Sequence, residues 1–126
     1  MKKILFVEDE EALQRSIAEM LEQNGFRVLR AMDGELGLAL AEKELPDLIL
    51  LDLILPKKNG FEVLADIKKN QATRNIPVIV LTNLEGTEDV ERALSLGATT
   101  YLVKANYNLA DILEKIKAVL NSNSPS

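Results

Sequence analysis

The sequence contains neither cysteine nor histidine. Without cysteine the chain has no disulfide and no thiol chemistry, which is compatible with a reducing cytoplasm. Without histidine it has no imidazole base, no imidazole metal ligand and no imidazole pH switch. Functions that depend on either side chain are therefore excluded.

Positive charge is also scarce. The 15 Lys and Arg residues are outnumbered by 20 Asp and Glu residues, which gives a net charge of −5. A broad phosphate-binding surface needs clustered Lys and Arg, so we expect no direct binding of nucleic acid. The sequence has no apolar run of bilayer-spanning length and no leader with a cleavage site. We therefore expect a cytoplasmic location and no membrane partner.

Short apolar runs alternate with helical patterns along the chain. The 126 residues, 47% of them apolar, suit one domain with one core. The pattern predicts five strands, followed in turn by five helices whose apolar residues recur every three or four positions. Such βα alternation predicts a doubly wound α/β domain with a parallel sheet between two layers of helices. The predicted strands cover residues 4–7, 26–31, 47–51, 77–81 and 100–103.

The helices and the tail carry more specific expectations. In the second helix we expect Leu36, Ala39 and Leu40 to face the core, and Thr87 is the candidate cap of the fourth helix. The domain is expected to cover residues 1–120. The polar residues 121–126 lack periodicity and are typical of a C-terminal tail or the start of a linker.

Polar residues directly follow the predicted strands. Glu8 and Asp9 follow the first strand, and Asp52 follows the third. Thr82 and Lys104 follow the fourth and the fifth strands. Since ligands of such sheets bind outside the carboxyl ends of the strands, we expect all of these side chains on one rim.

The acids on this rim predict a metal site. Three converging carboxylates repel one another, and a divalent cation relieves that repulsion. Oxygen ligands without His or Cys favour a hard ion, of which Mg²⁺ is the ordinary intracellular example. Glu10 and Glu11, by contrast, are typical of acidic residues in the first turn of a helix.

Thr82 and Lys104 extend the hypothesis to phosphoryl chemistry. Alone, a Thr at a strand end is usually a turn or cap residue, and a Lys is usually solvated. Beside the acids, however, a hydroxyl and an ammonium are suited to hold a phosphoryl group on Asp52. An aspartate can act as the nucleophile that forms such an acyl-phosphate.

At this point the chain resembles a known family, the response-regulator receiver domains of the CheY type. The resemblance extends from about residue 2 to about residue 120, with the motifs in the family's order and spacing. It implies a flavodoxin-like sheet with strand order 2-1-3-4-5. The motifs are Val7-Glu8-Asp9-Glu10, Leu51-Asp52-Leu53-Ile54-Leu55-Pro56 with Gly60, Leu81-Thr82 and Tyr101-Leu102-Val103-Lys104.

The resemblance implies a role for each site residue. Asp52 would accept a phosphoryl group from the phosphohistidine of a sensor histidine kinase or a phosphotransfer protein. Glu8, Asp9 and Asp52, with the backbone carbonyl of Ile54, would hold Mg²⁺. Lys104 would pair with the acids and then with the phosphate. The chain would be a signalling acceptor in a two-component system and not an enzyme with a separate substrate.

The resemblance also implies a switch. Thr82 would move its hydroxyl onto the phosphate, and Tyr101 would turn into the space that Thr82 leaves. This would change the face formed by the fourth helix, the fifth strand and the fifth helix. That face would contact a downstream effector protein or domain, or form a phosphorylation-dependent homodimer.

The chain departs from the family pattern after Thr82 and after Lys104. Family members usually have proline after the lysine, joined by a cis bond, whereas this chain has Ala105. A cis bond before a non-proline residue costs about 3–4 kcal/mol, and the sequence leaves cis or trans open. Asn83 stands where a small residue is usual, and we hypothesise that Asn83, Ile54 and Leu84 restrict water and slow the loss of the phosphoryl group. These three residues follow Asp52 or Thr82 closely in the sequence.

Three other functions compete with this hypothesis. A haloacid-dehalogenase-type phosphohydrolase would need a second Asp at position 54, where this chain has Ile54. A flavodoxin-like FMN binder would need a loop rich in Ser, Thr and Gly after the first strand, where this chain is acidic. A receiver fold used only for docking or dimerisation would not need Asp52, Thr82 and Lys104 together.

Overall fold

The protein was analysed as a computed structural model that describes residues 1–122. Five strands alternate with five helices, so the predicted βα units are confirmed. The elements are β1 Lys3–Val7, α1 Glu11–Gln23, β2 Arg27–Ala31, α2 Gly34–Glu44, β3 Leu48–Leu51, α3 Gly60–Lys69, β4 Val78–Thr82, α4 Thr87–Ser95, β5 Thr100–Val103 and α5 Leu109–Ser122, with a 3-10 turn, Lys104–Asn106, after β5.

The strands form one parallel sheet in the order β2-β1-β3-β4-β5, which confirms the order implied by the resemblance. Because β1, β3 and β4 lie inside the sheet with helices on both faces, their residues are apolar without alternation. Val7 pairs in register with Leu51. The residues that follow them, Glu8 and Asp52, therefore emerge side by side at the carboxyl edge.

The core lies in two layers, one on each face of the sheet. Successive strand residues point to opposite faces, so Leu5 and Phe6 belong to different layers. The layer containing Leu5 packs against α2, α3 and α4, and the layer containing Phe6 packs against α1 and α5. This three-layer arrangement is the predicted doubly wound architecture.

The predicted core face of α2 is wrong in two of its three residues. Leu40 is half-buried and packs against the core, but Leu36 is 44% exposed and Ala39 is also exposed. The fully buried residues of the helix are Gly34, Gly37 and Ala41. A Cβ atom on Gly34 would collide with the backbone oxygen of Lys58, and one on Gly37 would lie 2.8 Å from a methyl group of Val7. The helix turns its small residues inward because only they allow this close approach.

Some predicted boundaries also need correction. Strand β2 begins at Arg27, and β4 includes Thr82 as its last residue. Helix α4 has Gly86 at its cap position and no side-chain cap bond, so the prediction that Thr87 caps it is wrong. Thr87 is already helical because the extended backbone before the helix belongs to Gly86.

Helix α5 continues through Asn121 and Ser122, two residues into the segment assigned to the tail. The rest of that segment, residues 123–126, lies outside the described residues. Among the helices described, none combines the length and the apolar character needed to cross a bilayer.

The contact of α3 with the sheet gives a test of this packing. A Cβ atom on Gly60 would lie against the backbone of Asp52 and Leu53, so Gly60→Ala should lower the free energy of unfolding by about 2 kcal/mol or more. At Gly86 the nearest atom to an added Cβ is a side-chain oxygen 3.4 Å away, and the control Gly86→Ala should cost less than about 1 kcal/mol. Urea denaturation measures both, and equal losses would contradict the close packing at Gly60.

Candidate functional site

Three carboxylates meet at the carboxyl edge of β1 and β3. Glu8 is fully buried and Asp52 is 4% exposed, whereas Asp9 is exposed. One carboxylate oxygen from each lies within 4.8 Å of the other two. The rim predicted from the strand ends therefore brings Glu8, Asp9 and Asp52 together, as the register of β1 with β3 requires.

Lys104 joins two of these acids from the end of β5. Its Nζ lies 2.7 Å from Glu8 Oε1 and 3.0 Å from Asp52 Oδ2. Glu10 Oε2 is more distant, at 3.8 Å. Within residues 1–122 no peptide bond is cis, so the Lys104–Ala105 bond is trans. The ammonium thus reaches both buried carboxylates without the cis bond that the family's proline provides.

Backbone N–H groups also contact the acids. The Glu10 N–H donates to Glu8 Oε2 at 3.0 Å, and the Ile54 N–H donates to Asp52 Oδ1 at 3.3 Å. The backbone N–H of Asp52 itself donates to the Val7 carbonyl at 3.0 Å. Each buried carboxylate is therefore oriented both by Lys104 and by the loop that follows its strand.

The electrostatics of the site are strongly perturbed. Burial, with a smaller effect of the Asp52 charge, raises the pKa of Glu8 to about 7 against the opposing effects of Lys104 and the Glu10 N–H. Burial alone would lower the pKa of Lys104, but its contacts with Glu8 and Asp52 outweigh burial and raise it. One ammonium thus faces more negative charge than it neutralises.

This donor set fits a hard divalent cation. Its side chains offer carboxylate oxygens only, at mutual distances that one ion can bridge. Three carboxylates converge here and Lys104 contacts two of them with one ammonium, so carboxylates outnumber the cation that neutralises them. Ile54, whose carbonyl the resemblance adds to the set, follows Asp52 in the loop, and its side chain is 56% exposed.

Thr82 and Tyr101 lie at the next two strands. Thr82 is fully buried, and its Oγ1 has no hydrogen-bond partner among the described residues. Tyr101 is half-buried, and its hydroxyl donates to the backbone oxygen of Leu84 at 2.8 Å. Burial, together with the charges of Asp89 and Asp52, raises the pKa of Tyr101. A free threonine hydroxyl and a tyrosine tied to the following loop are thus the two side chains expected to switch.

The residues expected to screen the acyl-phosphate differ in exposure. Asn83 and Ile54 are exposed, whereas Leu84 is half-buried and packs against the core layer that contains Leu5. The hypothesis that they slow loss of the phosphoryl group stays a prediction.

Sequence reasoning missed two residues beside the site. Gln14 is 1% exposed, and its amide donates to the backbone oxygens of Glu8 and Ala31, each at 3.0 Å. Arg30 Nε donates to the Gln14 side-chain oxygen at 3.1 Å. The available signal was a polar residue next to Leu13 on the buried face of an otherwise amphipathic helix.

A cavity of about 270 Å³ lies at the opposite edge of the sheet. It is bounded by residues that precede β1, β3 and β4, among them Lys2, Asp47 and Pro77. None of the predicted site residues lines it.

Comparison with known proteins gives a consistent result. The family model described as "Response regulator receiver domain" matches residues 4–117. The transcriptional regulator RpaA of Synechocystis is 38% identical over 120 residues, which are 95% of this chain and 49% of RpaA. The phosphate regulon regulator PhoB of Escherichia coli is 37% identical over 124 residues, 98% of this chain and 54% of PhoB. The chain spans about half the length of these curated relatives.

Solved structures agree with the fold. A CheY-like receiver domain protein from Methanospirillum hungatei superposes with a TM-score of 0.90 at 34% identity and covers 97% of this chain and 95% of its own. The BeF3-activated N-terminal receiver domain of RstA from Klebsiella pneumoniae gives 0.86 at 30% identity, covering 94% and 97%. The similarity thus includes nearly the whole chain.

The ion pairs of Lys104 give a test of the site without any ligand. Lys104→Met leaves Glu8 and Asp52 buried without their cation, which should lower the free energy of unfolding by about 3 kcal/mol in metal-free buffer at neutral pH. The matched control Lys115→Met changes an exposed lysine of α5 and should cost less than about 0.5 kcal/mol. Urea denaturation measures both. A Lys104→Met variant as stable as the control would show that the ammonium does not stabilise these acids.

Proposed function

We propose that Asp52 is the phosphoacceptor of this chain. The chain belongs to the response regulator receiver domain family. Members of this family are phosphorylation-activated switches of two-component systems. The observation that carries the proposal is the contact of Asp52 with Lys104, at 3.0 Å, beside Glu8 and Asp9. The contact supports the proposal because the Lys104 ammonium could neutralise a phosphoryl group that arrives at the Asp52 carboxylate.

The proposed reaction is a single displacement at phosphorus. An Asp52 carboxylate oxygen attacks the phosphorus of a phosphohistidine, a P–O bond forms, and the P–N bond breaks with its electron pair passing to the imidazole. Lys104 neutralises the added charge from its position against Asp52 Oδ2. The Ile54 N–H keeps the other oxygen of Asp52 oriented, at 3.3 Å.

Mg²⁺ is the proposed cofactor. Glu8, Asp9 and Asp52, with the Ile54 backbone carbonyl, would hold it, and it would supply charge neutralisation at the phosphoryl oxygens. The oxygen-only donor set supports this choice, as does the surplus of carboxylates over the Lys104 ammonium that neutralises them.

The proposed switch connects Asp52 to the face formed by α4, β5 and α5. The unpartnered Thr82 hydroxyl would bind the phosphoryl group, and Tyr101 would give up its bond to Leu84 and turn inward. Two packings of these side chains would then differ in population with and without the phosphoryl group. The altered face would bind an effector or a second copy of the chain.

The partners follow from family membership. A sensor histidine kinase or a phosphotransfer protein would supply the phosphoryl group, and a downstream effector protein or domain would respond. The proteins that match are regulators by name, so a signalling acceptor fits them better than an enzyme with its own substrate. We further propose that the domain acts in the cytoplasm and that its own residues bind neither nucleic acid nor membrane.

Labelling tests the phosphoacceptor. With Mg²⁺ and acetyl phosphate, the wild type should gain a label that hydroxylamine removes, and Asp52→Asn should gain none. The control Asp47→Asn removes an exposed carboxylate at the other end of β3 and should be labelled like the wild type.

A label that persists in Asp52→Asn, or one that resists hydroxylamine, would contradict the assignment of Asp52. Steady release of phosphate from small phosphoesters would instead support a phosphohydrolase.

Tyrosine resonances test the switch. The chain has two tyrosines, so fluorotyrosine NMR should give two resonances, which Tyr107→Phe assigns. Beryllofluoride, a phosphoryl mimic, should shift the Tyr101 resonance in the wild type. In Thr82→Ala, the mimic should bind while the Tyr101 resonance stays near its unliganded position, because the hydroxyl that links the two is absent. An equal shift in both proteins would show that Thr82 does not control Tyr101.

A further inference from the structure

We propose that Gln14 is a positioning residue that holds the peptide between Glu8 and Asp9 in the geometry needed for metal binding. This inference rests on the proposed function, because it concerns the same Mg²⁺ site. Gln14 lies in the first turns of α1, and its side chain would fix a backbone geometry that the side chains of Glu8 and Asp9 cannot fix themselves.

The contacts of Gln14 use its whole amide. One N–H of the side-chain amide donates to the backbone oxygen of Glu8 and the other to the backbone oxygen of Ala31, each at 3.0 Å. The amide oxygen accepts from Arg30 Nε at 3.1 Å. A primary amide has two donors and one acceptor group, so all of its groups are paired. Such pairing is needed at 1% exposure, where an unpaired polar atom would cost about 1–3 kcal/mol.

The contact with the backbone oxygen of Glu8 can orient two metal ligands at once. This oxygen belongs to the peptide that joins Glu8 to Asp9, and rotation of that peptide changes the direction of both side chains. The Glu8 N–H is fixed separately, by donation to the Ala31 oxygen at 2.9 Å. Gln14 and Ala31 therefore hold Glu8 from its two sides and align the end of β1 with the end of β2.

The start of α1 supplies little other restraint. The side chain of its cap residue, Glu10, makes no cap bond. The backbone N–H of Glu10 donates to the Glu8 carboxylate. The Gln14 side chain is thus the contact that ties the helix to the oxygen of the loop peptide. Arg30 orients and polarises the Gln14 amide from the exposed surface of β2, which strengthens its donors.

Isothermal titration calorimetry with Mg²⁺ at 25 °C tests the proposal, on variants whose folding is first checked by circular dichroism. Outer contacts that orient metal ligands typically contribute a factor of about 10 or more in affinity, so Gln14→Met should raise the Mg²⁺ dissociation constant about tenfold. The control Gln23→Met alters an exposed glutamine of the same helix and should leave it unchanged. A residue that merely packed the core would lower the melting temperature and leave the dissociation constant of the folded protein unaltered.

Arg30 provides a second variant whose exposed position favours folding. Arg30→Met should raise the dissociation constant about twofold to threefold in the wild-type background and should have no effect in the Gln14→Met background, because it acts through the amide. Arg27→Met, at an exposed arginine of the same strand, is the matched control. If Gln14→Met does not fold, a loss of affinity in Arg30→Met but not in Arg27→Met still supports the proposal.

The outcomes separate this inference from the proposed function. A wild type that binds Mg²⁺ and is labelled on Asp52, together with Gln14→Met and Arg30→Met variants of unchanged affinity, would overturn the role of Gln14 alone. A wild type that binds no Mg²⁺ would overturn the metal site and this inference with it.

Discussion

The ion pairs of one ammonium with two buried carboxylates are the constraint on which this site depends. Glu8 and Asp52 cannot both carry charge at the carboxyl edge of a parallel sheet without a cation beside them. Lys104 supplies it from the far strand, so the site forms only when β1, β3 and β5 are in their final order. Lys104 alone leaves carboxylates in excess over cations, and the proposed Mg²⁺ would relieve this excess.

The close approach of backbone segments holds this edge in place. Gly60 brings the start of α3 against the backbone of Asp52, and Gly34 brings α2 against the loop that follows β3. Neither contact has room for a side chain. The loop containing Ile54 is therefore held from two sides, while its surface remains open to solvent and to a phosphodonor. Rigid support behind this loop suits the proposed phosphoryl transfer, which needs the reacting carboxylate held in a fixed position.

Buried polar groups around the site fall into two kinds. Gln14 has a partner for every group of its amide and so fixes one arrangement of the loop after β1. Thr82 is fully buried with an unpartnered hydroxyl, which costs free energy that a phosphoryl oxygen could recover. The first kind favours a fixed binding geometry, and the second leaves a hydroxyl available for a new partner. A receiver domain needs both, since it must hold a ligand and also respond to it.

The sequence by itself determined the order of the elements and the set of rim residues, because unbroken apolar runs and the polar residues at their ends are local patterns. It could not orient α2, whose small face packs inward only because the loop at Lys58 and the side chain of Val7 come so close. It also left open the bond after Lys104, which is trans in the fold, as a bond before a non-proline residue ordinarily is. The role of Gln14 was invisible for the same reason, since its partners are residues 8, 30 and 31, which only the folded sheet brings to its amide.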